Sequence, residues 1–199
     1  MQYDKAAWQK MGNSFTNNYE IGITDFRQNI IDTVIKLQPE CSNLLDVACA
    51  DGWFIEQLRK FGFNKNYLGV DITPNLIGRA KNRMPNETFT LGDAMELGQL
   101  ADNDFDFVMC VGILMHIPDF RRAIMQACRV SKKYVMFSTY GTYMESYDVH
   151  DEKNSFLNYF YNLKDILTSV PPTFQLMEFK SFKRQNFDHM FQYLFKRAE

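Results

Sequence analysis

Histidine is scarce in this chain, and its cysteines fall into no pattern. There are three histidines and four cysteines among 199 residues. Cys41, Cys49, Cys110 and Cys128 form no C-x-x-C pair, and no histidine stands at metal-ligand spacing from them. That usage predicts free thiols in a reducing compartment, with neither a disulfide framework nor a zinc site. Neither sign of charge dominates: 22 Lys+Arg against 24 Asp+Glu leave a formal net charge of −2. No general affinity for nucleic acid is therefore expected. The basic cluster Lys180, Lys183, Arg184, Lys196 and Arg197 reads as solvated strand faces. No apolar run approaches the roughly 18 residues of a membrane span. The opening MQYDKAAWQKMGN lacks the apolar stretch of a signal peptide. Repeats, low-complexity tracts and linkers are also missing. These absences predict one cytoplasmic domain over residues 1–199, monomeric or homodimeric, with no membrane partner.

What the chain does have is apolar sequence in two alternating periods. Hydrophobic residues make up 46% and aromatics 15%. Residues 25–37, 53–61, 74–83 and 119–130 place apolar side chains at helical spacing. Between them lie short continuous apolar runs at 43–47, 67–70, 88–91, 105–111 and 134–139, which read as buried strands. Thr73 and Pro74 supply an N-cap and a first-turn proline for the third helix. A loop and a helical stretch over 154–169 follow. Residues 175–184 and 187–196 then form two runs with no helix between them, predicting an antiparallel hairpin. The expected fold is α/β: a Rossmann-like three-layer α/β/α sandwich. Its sheet has seven strands, mostly parallel, with an antiparallel terminal hairpin.

The chemistry concentrates where strands end. Leu44-Leu45-Asp46-Val47-Ala48-Cys49-Ala50-Asp51-Gly52-Trp53-Phe54 is a strand, an acid, a run of small residues and a helix start. Small residues let the backbone approach a ligand, and the helix N-terminus turns amides toward it. The second strand ends at Asp71, 19 residues past Gly52. A carboxylate there can accept from both hydroxyls of a ribose. Leu91-Gly92-Asp93-Ala94 and Val111-Gly112-Ile113-Leu114-Met115-His116-Ile117 close the third and fourth strands. Taken alone, each has a plain structural role: a turn at Asp93 or Asp106, a cap at Asp71.

In this order and spacing the motifs resemble the class I S-adenosylmethionine (SAM)-dependent methyltransferases. Asp46, Ala48, Ala50 and Gly52 occupy that family's acid-x-Gly-x-Gly-x-Gly positions, with alanine at two of the three glycines. The resemblance covers roughly residues 40–140. It implies a cofactor-binding core over 41–139, an acceptor-side insertion over 140–173 and a terminal hairpin over 174–199. It implies SAM as cofactor, S-adenosylhomocysteine (SAH) as its product and a small-molecule acceptor methylated on O or N. Asp46, Ala48, Ala50, Gly52, Asp71, Ile72, Asp93, Ala94, Cys110 and Met115 would lie on the cofactor side. His116 would be the general base, and Tyr19 would touch the acceptor. Tyr3, Trp8, Phe15 and Tyr19, within 1–40, would form either a lid over the site or an amphipathic helix packed on the core. His150, in a polar loop, reads as solvated, His189 as structural, and the aromatics of 158–162 as an acceptor wall or plain core. Two alternatives stay open: a non-catalytic subunit that keeps the fold, motivated by the two alanines, and a nicotinamide oxidoreductase. The latter shares the first two motifs but does not account for Asp93-Ala94 or the hairpin.

Overall fold

The computed structural model describes residues 22–151, 156–183 and 189–198. Tyr3, Trp8, Phe15, Tyr19 and Arg184 lie outside the described residues. Among those described, five helices surround a sheet: α1 (Asp25–Leu37), α2 (Trp53–Lys60), α3 (Pro74–Arg83), α4 (Phe120–Val130) and α5 (Leu163–Ser169). The strands are β1 (Asn43–Val47), β2 (Asn66–Asp71), β3 (Thr88–Leu91), β4 (Phe105–Cys110), β5 (Ser131–Thr142), β6 (Tyr147–Asp151), β7 (Phe156–Asn162), β8 (Phe174–Lys183) and β9 (His189–Arg197).

Strands β3-β2-β1-β4-β5 run parallel in that order. All six residues of β4 are buried, as a central strand covered on both faces requires. On one face Leu45, Val47, Val108, Val135 and Phe137 pack against Ile124 and Ala127 of α4. On the other, Leu44, Phe107, Met109 and Met136 meet Ile30, Ile31 and Val34 of α1 and Ile55 and Leu58 of α2. Three helix starts carry side-chain caps: Thr24 accepts from the Arg27 amide, Asp119 from the Arg122 amide and Asn162 from the Lys164 amide. Thr73 stands at the N-cap of α3 without a side-chain cap bond. Asp106 is a strand residue and not part of a turn. Its carboxylate accepts from the Ser42 amide at 2.8 Å and pairs with Lys133 at 3.4 Å, tying the lower end of the sheet.

The terminal hairpin pairs β8 with β9, and β9 runs antiparallel to β5 from Tyr134↔Lys196 to Gly141↔His189. The sheet has two strands beyond the expected seven. Residues 156–162 are β7 and not the start of a helix; the helical stretch is confined to Leu163–Ser169. The alternation Tyr159-Phe160-Tyr161 explains this: its rings point to opposite faces, and extended backbone places each in a different contact. His150 lies in β6 and not in a loop. Gly141 pairs with His189 on one edge and Tyr161 on the other. The β6–β7 hairpin therefore continues the β4 edge of β5, above the point where β4 has ended. It overhangs the carboxyl ends of the parallel strands.

Gly141 has a second constraint: a Cβ there would lie 1.8 Å from Phe191 Cδ2. Gly141→Ala is expected to destabilise the protein by about 3 kcal/mol, the upper range for overpacking. A shifted midpoint in urea denaturation measures it. An unchanged midpoint would mean that the Phe191 ring can turn aside freely.

Candidate functional site

A cavity of about 620 Å³, counted to its mouth, opens over the carboxyl ends of β1, β2 and β4. It sits where open α/β sheets bind ligands. Its lining comes from four loops: Ala48 and Ala50 after β1; Asp71, Ile72, Thr73 and Leu76 after β2; Gly92 and Ala94 after β3; Gly112, Ile113, His116 and Ile117 after β4.

The first loop is held by backbone bonds. The Ala48 and Cys49 amides donate to Val70 O at 2.7 and 3.1 Å, and the Gly52 amide to Cys49 O at 3.1 Å. This path turns the chain through the left-handed region three times in five residues, at Ala48 (φ 64°), Ala50 (φ 50°) and Gly52 (φ 78°). A side chain there costs about 1–2 kcal/mol per residue. The loop has an anchor that offsets this strain. Asp51, 1% exposed, bonds Arg83 at 2.9 Å and Arg79 at 3.4 Å, while Arg83 also donates to Asp51 O at 2.7 Å. Ala48→Gly and Ala50→Gly should each stabilise the fold by about 0.5–1 kcal/mol, the left-handed penalty less the entropy glycine adds to the unfolded chain. A lower denaturation midpoint in either variant would contradict this.

Asp71 joins the loops. Its Oδ2 accepts from the Ala50 amide at 2.9 Å and its Oδ1 from the Thr73 amide at 2.8 Å. The Thr73 hydroxyl and the Ile72 amide also hydrogen-bond toward the carboxylate. Burial raises the Asp71 carboxyl above its usual range, and the amides of Thr73 and Ala50 oppose that rise.

Asp46 sits behind the loop, 2% exposed, and accepts from the Tyr67 hydroxyl at 2.9 Å. Burial pushes it up to about 8; the Tyr67 bond works against the rise, and the nearby charge of Asp71 adds to it. An acid whose folded pKa lies above its unfolded value holds its proton longer in the folded state. Stability then falls as pH rises from the unfolded value near 4 toward 8. Melting temperature should drop by at least about 3 °C from pH 5 to pH 8.5, the shift that ~1 kcal/mol produces in a chain of this size. Asp46→Asn, which keeps an acceptor for Tyr67, should remove most of that slope. An equal slope in the variant would assign it to another group.

The third loop is fixed from α4. Asp93 Oδ1 accepts from the Met95 amide at 2.9 Å. Arg122 donates to Met95 O at 3.0 Å, and Arg129 to Leu97 O at 2.8 Å and Leu100 O at 3.0 Å. The fourth loop forms a 3-10 turn, Leu114–His116, that brings His116 to the cavity. The Gly112 amide donates to Ser138 Oγ at 2.8 Å, and the Tyr161 hydroxyl to Ile117 O at 2.6 Å. The overhanging β7 strand thus fastens this loop from above.

Of the candidates read from sequence, Ala48, Ala50, Asp71, Ile72, Ala94 and His116 line the cavity. Asp46, Gly52, Asp93, Cys110 and Met115 stand behind that lining. Gly52 caps α2, Cys110 and Met115 are buried in the core, and burial holds the Cys110 thiol well above its usual range. Tyr19 lies outside the described residues. His189 bonds Ser181 Oγ at 2.7 Å within the hairpin. Lys196 lies over the Tyr134 ring, and Arg197 over Phe174 while donating to Cys128 O and Ser131 O. These cations are woven into the fold. Thr73, Leu76, Gly92, Gly112, Ile113 and Ile117 also line the cavity without having been singled out. Their signal was adjacency to each motif. Asp51 and its two arginines gave no local signal, because their pairing spans about one βα unit. Among the described residues no group of three His, Cys, Asp or Glu could hold a metal ion. No helix among them is long and apolar enough to cross a membrane.

Comparison with known proteins gives this geometry a setting. Residues 45–137 match the family model described as a methyltransferase domain. Over 133 residues the chain is 31% identical to malonyl-[acyl-carrier protein] O-methyltransferase of Buchnera aphidicola, covering 64% of this chain and 53% of that protein. It is 29% identical over 109 residues to a ubiquinone biosynthesis O-methyltransferase of Methylococcus capsulatus, covering 52% and 45%. The chain spans about half the length of the curated relatives it matches. The crystal structure of magnesium protoporphyrin IX methyltransferase from Synechocystis with bound SAM superposes with a TM-score of 0.73 at 17% identity, covering 100% of this chain and 99% of that one.

Proposed function

We propose, from the match of residues 45–137 to a methyltransferase-domain model, that this chain transfers a methyl group from SAM to an oxygen or nitrogen of a small molecule. The observation that carries this reading is Asp71. It stands at the end of β2, inside the cavity, oriented by the Ala50 and Thr73 amides. Such a carboxylate suits two adjacent ribose hydroxyls. Ile72 and Leu76 beside it, with Ala94 across the cavity, supply an apolar slot for a flat base. The methyls of Ala48 and Ala50 keep the first loop's lining small.

When bound, SAM supplies a methyl group on a leaving group already activated by its own positive charge. The protein's work is then alignment and exclusion of water, and alignment alone can be worth roughly 7–11 kcal/mol. His116, at the cavity wall after β4, takes the acceptor's proton where the acceptor carries one. The β6–β7 hairpin overhangs this edge and limits solvent. The relatives' names speak of ubiquinone biosynthesis and of magnesium protoporphyrin IX, which supports a small-molecule acceptor here.

Isothermal titration calorimetry with SAM, SAH and NAD(H) in turn tests the reading. Micromolar binding of the first two without NAD(H) is the expected result. Binding of NAD(H) alone, or of none, would overturn it. The two strained alanines favour one other reading, a subunit that keeps the fold without turning over, and SAM binding without methylation of any acceptor would support it.

A further inference from the structure

Helix α3 meets the cavity's loops at two places. Its start continues the loop that carries Asp71: the Thr73 carbonyl accepts from the Ile77 amide at 3.1 Å. Its last turns grip the first loop. Arg79 and Arg83, four residues apart and so on one side of the helix, both reach Asp51. Arg83 Nη1 bonds the Asp51 carboxylate at 2.9 Å and the Asp51 carbonyl at 2.7 Å. That double hold fixes the peptide between Asp51 and Gly52 as well as the side chain. Ala80, between the two arginines, closes on Gly52: a Cβ added to Gly52 would lie 3.3 Å from Ala80 Cβ. The gripped residue sits between two left-handed ones, Ala50 (φ 50°) and Gly52 (φ 78°). Glycine adopts that shape freely, and alanine does not. The two strained alanines differ in what holds them. Ala48 is tied to β2 by its own amide, at 2.7 Å from Val70 O. Ala50 is tied to Asp71 Oδ2 and, through the next residue, to α3.

We infer that Asp51, Arg79 and Arg83 are positioning residues for the cofactor. They hold Ala50 in a strained shape that the bound ligand needs and that alanine, once released, leaves. This rests on the methyl-transfer reading of the cavity. Ala50 lines the cavity and its amide orients Asp71, so the first loop and the carboxylate take their places together. Asp51, Arg79 and Arg83 stand outside that lining and act through Ala50. A buried ion pair also has a plain structural role, since removing one partner destabilises the fold. The strain separates the two roles. A clamp that serves stability alone is worth the same whichever residue stands at position 50. A loop held against its own preference relaxes when released. Relaxing recovers part of the lost stability and forfeits the shape that binds the ligand. Glycine at position 50 keeps the left-handed shape unaided, so it shifts the two losses in opposite directions.

The test compares Asp51→Asn in two backgrounds, the parent and Ala50→Gly. Calorimetry with SAH, well below the melting temperature, reads affinity. Urea denaturation without ligand reads stability. With alanine at position 50, Asp51→Asn should weaken SAH binding about tenfold, the weight of one left-handed penalty. With glycine there, the same substitution should weaken it by no more than about threefold, the effect of the freedom glycine adds. The fall in denaturation midpoint should run the other way, larger with glycine than with alanine. Arg83→Gln, which leaves Asp51 paired with Arg79, takes the place of Asp51→Asn if that variant does not fold, and the same signs are expected. Unchanged SAH affinity in the folded variant would overturn the inference. So would losses of affinity and of midpoint that are equal in the two backgrounds, which would leave the clamp a purely structural ion pair. Failure of SAH to bind the parent protein would instead sink the methyl-transfer reading. The denaturation comparison would then still decide whether α3 holds Ala50 against its preference.

Discussion

Asp71→Ala is expected to weaken SAM and SAH binding about 100-fold. Hydrogen bonds to an ionised group contribute about 1.5–3 kcal/mol each, and two ribose hydroxyls would make two of them. The substitution also removes the acceptor for the Ala50 and Thr73 amides. It would therefore loosen the strained first loop as well as delete a ligand contact. Asp71→Asn separates the two effects. A ribose hydroxyl can still accept from the new NH2 group, but that group faces one of the two backbone amides, donor against donor, so mainly the loop contact is lost. Calorimetry with SAH, alongside a thermal melt to confirm folding, gives the answer. Unchanged affinity in the alanine variant would remove the ribose assignment, and with it the observation on which the proposed function stands.

His116→Ala should lower the turnover number by roughly 10²–10⁴, the usual range for a positioned general base, with SAM affinity changed only a few-fold. The side chain reaches the cavity from a 3-10 turn fastened at Gly112, at Ile117 and beneath Tyr140. Its place is thus fixed by groups other than itself, and removing the ring leaves the loop anchored. His116→Gln keeps a polar group of similar reach that cannot take a proton. A base role predicts that this variant stays slow and loses the low-pH limb of the rate profile. Near-normal turnover in both variants would mean that alignment alone carries the step and that the acceptor sheds its proton to water.

The parallel core was readable because its signals are local. β4 is apolar from Phe107 to Cys110 since both faces are covered, and the small-residue run after Val47 announces a backbone that must approach something closely. The reading of 154–169 failed for an equally physical reason. Asn158-Tyr159-Phe160-Tyr161-Asn162 has polar residues and rings at spacings that suit either period. Only the edge of β5, left open beyond Cys110, decides that the segment extends. The site divides the same way. Ala48, Ala50, Asp71, Ile72, Ala94 and His116 belong to strand-end motifs and reach the cavity. What was not legible depends on partners far along the chain: Asp51 on Arg79 and Arg83, Tyr140 on Phe160. The positive φ values of the alanines are a further case, because a sequence shows the residue type but not the torsion it is made to adopt.

The pairing of β9 with β5 has a consequence for the order in which the chain can be built. During synthesis β1 to β5 emerge before β9, and their parallel pairings can form as soon as β5 has left the ribosome. The outer edge of β5 then waits, unpaired from Tyr134 to Gly141, until residues 189–196 appear about fifty residues later. Over that interval the pocket that Phe191, Tyr193 and Phe195 will fill is open, next to a long exposed strand edge. Such an edge is a template for joining another chain. A nascent chain stalled before His189 should be a chaperone client. Emergence of β9 should close this part of the core in a single step.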